Sequence, residues 1–259
     1  MISPSADPVG VEIVESLAEI GYDYIELSLS DLTALPEPAF ASFVERVNRS
    51  GLHCEACNNF FPRRVRLTGS QARLDDALTY AAEAMDRAAR IGAETIVFGS
   101  SGAKNVPAGF PVDAAWKQIG ELLRHLGPMA AQRRLTIAIE PINRQESNIV
   151  TLAAEGLRLV REVNHPSVQL LIDFYHLMME KEDLEIVAEA GPALHHLHFA
   201  QVKGRSFPAE ADDASQEFFR ALRRIGYAQR CSVEAYTTDF APDARRALSL
   251  LKQLVSAPD

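Results

Sequence analysis

Four apolar runs in this sequence end on a residue able to hold a cation or move a proton. Leu135-Thr136-Ile137-Ala138-Ile139 leads into Glu140, Val168-Gln169-Leu170-Leu171-Ile172 into Asp173, Leu194-His195-His196-Leu197 into His198, and Cys231-Ser232-Val233 into Glu234. Three carboxylates and one imidazole make a donor set that suits Mn²⁺, Mg²⁺ or Co²⁺, with positions left open for the vicinal oxygens of a ligand. One carboxylate after one strand carries little information, because Asp and Glu commonly cap the next helix; four such residues after separate strands are hard to explain that way. His176 follows Asp173 by three residues, in a stretch that reads as a loop facing the same cavity. Strand alternation puts His196 on the face of His198 but a layer deeper, as a core histidine rather than a ligand, and turns His195 outward toward the helices.

These side chains meet only if parallel strands carry their C-terminal ends to one rim. The chain has the pattern that does this: a short apolar strand, a loop and an amphipathic helix, repeated without a composition break. Strands are predicted over 22–27, 52–57, 95–98, 135–140, 168–173, 194–199 and 231–236, and helices over 9–20, 37–50, 71–91, 113–133, 151–163, 184–190, 216–225 and 242–255. Asp113 and Thr151 mark helix starts, and Ile91-Gly92 and Ile225-Gly226 mark helix stops. Seven strands against eight helices leave an eight-stranded (β/α) barrel one short. Residues 1–8 contain Ser3, Pro4, Asp7 and Pro8 and read as coil, so the first strand is expected to be degenerate or missing, or its gap covered by a partner.

With 259 residues and 47% hydrophobic content, the chain can bury a sizeable core, and a single domain over 1–259 is expected. A formal charge of −9 opposes binding to a phosphate backbone, so no nucleic-acid partner is expected. No apolar run approaches the roughly 20 residues of a membrane helix, and Met1-Ile2-Ser3-Pro4 begins no secretory signal. A cytoplasmic protein with no membrane partner is the expectation. The odd count of Cys54, Cys57 and Cys231 fits a reducing compartment, and Cys54-Glu55-Ala56-Cys57, with no second pair, reads as two small strand residues rather than a zinc half-site. Arg63-Arg64-Val65-Arg66 reads as a solvated charge run ahead of an anion site, and Phe60-Phe61 as an apolar wall or a subunit contact.

Ile139-Glu140-Pro141-Ile142-Asn143-Arg144, Ile172-Asp173-Phe174-Tyr175-His176 and His196-Leu197-His198 resemble the sugar phosphate isomerase/epimerase superfamily of xylose isomerase-like TIM barrels. Within it they resemble the D-tagatose 3-epimerase and hydroxypyruvate isomerase branch. The likeness runs from Val9 onward, through Gly21-Tyr22-Asp23-Tyr24-Ile25-Glu26-Leu27 and Ile225-Gly226-Tyr227. It implies a (β/α)8 barrel with one divalent cation, Mn²⁺ first, held by Glu140, Asp173, His198 and Glu234. It further implies Glu140 and Glu234 as the acid/base pair, Glu146, His176 and Arg205 as substrate contacts, and a homodimer or higher homo-oligomer. The family commonly has an acidic residue where Gln201 stands and a Gly where Ala209 stands, which points to a reshaped loop around Arg205.

The implied reaction is proton transfer beside a ketone. Such a proton is too weakly acidic for a carboxylate alone, so the enediolate needs electrostatic stabilisation, which a divalent cation supplies. Two carboxylates on opposite faces of the substrate then take and return the proton, inverting a stereocentre. Ketose 3-epimerisation is the leading expectation, with hydroxypyruvate isomerisation and 3-keto-glycoside epimerisation or elimination as alternatives. AP endonuclease chemistry would need extra histidine ligands from the early strands and a further Asp-x-His pair, but no His stands at the ends of the second or fourth strands and residues 202–213 contain no Asp-x-His. A non-catalytic accessory barrel would have no need of the Glu140/Glu234 pair.

Overall fold

The computed structural model describes residues 13–257. Seven strands, β1 (Tyr24–Ser28), β2 (His53–Asn58), β3 (Thr95–Phe98), β4 (Thr136–Ile139), β5 (Val168–Asp173), β6 (Leu194–Phe199) and β7 (Arg230–Val233), form one sheet in sequence order. Every neighbouring pair is parallel. The first and last strands meet through side chains, Tyr24 Oη lying 2.8 Å from Ser232 Oγ. The expectation of a degenerate or missing strand over 1–8 lies outside the described residues.

Alternation gives each strand two chemically different faces. Ile25, Leu27, Ile96, Phe98, Ile137, Ile139, Leu170 and Ile172 join the main core with the helices. Burying this face against amphipathic helices is the dominant favourable term in the fold. The opposite face lines the barrel interior, where Val97, Ala138 and Leu171 pack as a separate small cluster. Above them the interior turns polar.

The outer layer comprises α1 (Val14–Ile20), α2 (Leu29–Ala34), α3 (Glu37–Ser50), α4 (Leu74–Ile91), α5 (Ser101–Lys104), α6 (Val112–Gln132), α7 (Ala153–Val163), α8 (Phe174–Glu180), α9 (Glu185–Ala190), α10 (Asp213–Arg224) and α11 (Phe240–Ser256). α4 stops where expected, at Gly92, whose φ of 93° suits a residue without Cβ. α7 starts with the Thr151 and Leu152 amides donating to Glu155 Oε2 at 2.7 and 3.3 Å.

Several expectations need correcting. The stretch after Asp173 is the helix α8, not a loop, because the Asp173 carboxylate caps it by accepting from the Tyr175 amide at 2.8 Å. The strands expected over 135–140 and 231–236 end at Ile139 and Val233, so Glu140 and Glu234 stand just past the ladder. His195 does not face the helices. A bulge opposite Leu170/Leu171 takes it out of the ladder, and its Nε2 lies 3.2 Å from Thr95 Oγ1 at the barrel floor. Phe60 and Phe61 are buried and pack on each other, with Phe61 also against Tyr80 and Phe98. They belong to the chain's own core rather than to a subunit contact. Arg63 and Arg64 are exposed, as a solvated run requires, with Arg64 lying over the Tyr80 ring, whereas Arg66 is half-buried and donates to the Gly102 and Asn105 carbonyls. Cys54 and Cys57 are buried strand residues with Sγ atoms 3.8 Å apart.

Candidate metal centre

Glu140, Asp173, His198 and Glu234 come together as one buried group, each offering a ligand atom within 4.8 Å of the others. They arrive from β4, β5, β6 and β7, whose parallel course delivers four C-terminal ends to one rim. His198 Nδ1 stands 3.1 Å from Glu140 Oε1 and 2.7 Å from Glu234 Oε2. Its other nitrogen, Nε2, lies 2.9 Å from Glu26 Oε1. This arrangement holds one edge of the ring toward the carboxylates and anchors the other, as metal-binding histidines require. Three carboxylates and one imidazole, buried and convergent, fit a hard divalent cation.

Glu26 was not singled out from the sequence. It sits mid-strand in Tyr24-Ile25-Glu26-Leu27-Ser28, and its partners lie some 170 to 206 residues away in sequence. Its carboxylate accepts from His198 Nε2 and His196 Nε2, both at 2.9 Å, and from Ser232 Oγ at 2.5 Å. Burial opposes ionisation of Glu26, but the His198 and His196 interactions outweigh it and hold the carboxyl well below the usual range. The deeper histidine, His196, is thus a hydrogen-bonded core residue, as alternation predicted. Burial lowers its pKa, which keeps the ring neutral.

The Glu140 side chain lies over a glycine. A Cβ added at Gly99 would overlap Glu140 Oε2 and stand 3.1 Å from Cδ, so only glycine leaves that space. Behind the same residue, the fully buried Lys104 donates to the Glu140 carbonyl at 3.1 Å, and burial pulls its ammonium down to about 8. Neither residue carries a signal in the sequence that would mark it.

The residues expected to meet substrate also converge. Arg205 Nη2 donates to Glu234 Oε2 at 2.8 Å and to Asp173 Oδ2 at 3.1 Å, and Nη1 reaches Glu146 Oε2 at 3.4 Å. Its guanidinium lies over the Tyr175 ring, 4.9 Å from the centroid. The departures at Gln201 and Ala209 therefore leave Arg205 within the site. Asn143 Oδ1 accepts from the Gln145 amide, which turns its Nδ2 toward His176 Nδ1 at 2.7 Å. His176 Nδ1 is then an acceptor, so its proton sits on Nε2, 3.5 Å from Asp173 Oδ2. Burial, then the Arg205 charge, lowers the His176 pKa to about 3 and keeps the ring neutral. Burial and then the Glu234 charge push Asp173 up to about 7. Burial acts the same way on Glu234, but His198 and then Arg205 overcome it and hold that carboxyl at about 2.

The chain belongs to the xylose isomerase-like TIM barrel family, whose profile matches residues 14–254. Among characterised proteins it is similar to the D-psicose 3-epimerase of Agrobacterium fabrum, with 23% identity over 231 residues covering 86% of this chain and 78% of the relative. An L-ribulose 3-epimerase of a Methylomonas species is 32% identical over 119 residues, 45% of this chain and 41% of that one. Among solved structures, a D-psicose 3-epimerase studied in the presence of D-fructose superposes with a TM-score of 0.85 at 19% identity, covering 95% of this chain and 94% of that one. The 3-keto-D-glucoside 4-epimerase of E. coli superposes with a TM-score of 0.80 at 20% identity, covering 94% of each chain. At these identities the structural likenesses carry the fold.

Proposed function

We propose that this protein is a divalent-metal-dependent ketose epimerase that moves a proton with Glu140 and Glu234. The observation that carries the reading is the position of their carboxylates, 3.1 and 2.7 Å from the same His198 nitrogen within one buried four-residue group. A bound divalent cation, Mn²⁺ first, would be held by Glu140, Asp173, His198 and Glu234 and would stabilise negative charge developing on substrate oxygens. One glutamate takes the proton from the carbon beside the carbonyl, and the other returns a proton to the opposite face. Reversal exchanges their roles, which suits an epimerase working in both directions.

The neutral His176 can donate Nε2–H to a substrate oxygen, since its other nitrogen is already occupied by Asn143. Arg205 supplies fixed donors above the carboxylates, and Glu146 extends that line of contacts outward. Together they orient the substrate before proton transfer, which is where much of the rate gain in such reactions arises. The similarity to the 3-keto-D-glucoside 4-epimerase favours one second reading, epimerisation of a keto-glycoside by the same two glutamates.

The test is to incubate metal-stripped and Mn²⁺-restored protein with free ketoses, hydroxypyruvate and 3-keto-glycosides and to follow configuration by NMR. The proposal expects metal-dependent inversion beside the carbonyl of a ketose. Tight metal binding with no turnover of any compound would identify an accessory barrel instead.

A further inference from the structure

The polar side chains on the inner face of the barrel mostly pair with one another; among the described residues, His196 Nδ1 and Arg205 Nε lack a partner on side chains that are otherwise bonded, but two neighbouring side chains have no partner for any polar atom. Asn58, 3% exposed, has no partner for Oδ1 or Nδ2, and Ser28, 6% exposed, has none for Oγ among the described residues. They are register partners at the C-terminal ends of β2 and β1. Both face inward. Glu26, two residues before Ser28, reaches His196 and His198 inside the barrel, whereas Leu27 and Cys57 pack in the outer core. Native folds seldom leave an amide and a hydroxyl dehydrated and unpaired together unless something else supplies the partners.

We infer that Asn58 and Ser28 form a hydroxyl-reading subsite for the far end of a neutral polyhydroxylated substrate. This rests on the epimerase reading, which places the reacting carbons at Glu140 and Glu234. The Asn58 amide offers two donors and an acceptor, and the Ser28 hydroxyl offers both, which complements vicinal hydroxyls that each donate and accept. A phosphorylated or carboxylated end is a poor match. Neither Asn58 nor Ser28 carries a charge, and of the cations that follow β2 and β3, Arg66 donates to the Gly102 and Asn105 carbonyls, Lys104 donates to the Glu140 carbonyl, and Arg63 and Arg64 are exposed. A three-carbon keto acid spends its carbonyl and hydroxyl at the reacting centre and has only a carboxylate left. The subsite therefore selects an uncharged ketose long enough to carry hydroxyls beyond the reacting carbons.

The experiment compares deuterium incorporation from D₂O into a hexulose and into dihydroxyacetone by the Mn²⁺-loaded protein. Wild type is run beside Asn58→Leu, Asn58→Ser and Ser28→Ala, with circular dichroism as the check on folding. The subsite predicts that Asn58→Leu lowers kcat/KM for the hexulose about 10- to 100-fold and Ser28→Ala about 3- to 10-fold, with dihydroxyacetone changed less than about twofold. Should Asn58→Leu fail to fold, Asn58→Ser and Ser28→Ala carry the comparison. Equal losses on both substrates would show that these residues only shape the barrel, and unchanged hexulose kinetics would show that they touch nothing; either overturns the inference. Wild-type exchange on dihydroxyacetone without exchange on the hexulose overturns the inference alone. No wild-type exchange on either compound overturns the epimerase reading and this inference with it.

Discussion

Glu26 Oε1 accepts the His198 Nε2 proton across 2.9 Å, so the imidazole that faces Glu140 and Glu234 is aimed by a carboxylate from the first strand of the sheet. The same carboxylate receives His196 Nε2 and Ser232 Oγ, and Tyr24 continues the chain at Ser232. One buried network thus joins β1, β6 and β7 and orients a proposed ligand at once.

Replacing Glu26 by Gln keeps the shape and one acceptor but removes the charge that favours Nε2–H on His198. Mn²⁺ affinity should weaken about 10- to 100-fold, the usual cost of losing such an outer partner. Titration calorimetry on the metal-free variant reads this directly. An unchanged affinity would mean that the carboxylate serves only to hold the strands together.

Gly99→Ala should reduce turnover about 100-fold while leaving the far-ultraviolet spectrum intact. The new methyl group must displace the Glu140 carboxylate, and misplacing a reacting group by about 1 Å costs on that order. Turnover within about twofold of wild type would show that the Glu140 side chain can move aside without consequence.

The four ligand candidates were legible because each ends an apolar run, and a parallel sheet places all such ends on one rim. β3, β5 and β6 begin and end where hydrophobicity alone puts them. What stayed hidden depends on contacts between residues distant in sequence. Glu26 interrupts a strand without ending it, and its partners lie on the far side of the chain. His195 follows the alternation rule only until a bulge breaks it, and bulges leave no simple mark on a single strand. α8 was missed because Asp173-Phe174-Tyr175-His176 looks like a loop until Asp173 is recognised as its cap.

His195 gives a pH-dependent test away from the proposed metal ligands. Burial lowers its pKa from 6.5 to about 4, so the unfolded chain binds its proton first as pH falls. That contribution to stability is intact above about pH 6.5 and is lost progressively down to about pH 4. His195→Gln, which can still bond Thr95, should lose less stability than wild type between pH 7 and pH 5, measured by urea midpoints. Parallel losses in the two proteins would place the imidazole in solvent.

The central claim is that Glu140 and Glu234 divide one proton transfer between them. The most direct measurement is deuterium uptake beside the carbonyl of a ketose in D₂O, with Mn²⁺ present, for wild type, Glu140→Gln and Glu234→Gln. The account predicts exchange at one carbon in wild type and a loss of about 100- to 10,000-fold in each variant. Exchange that persists near the wild-type rate in both variants would contradict it.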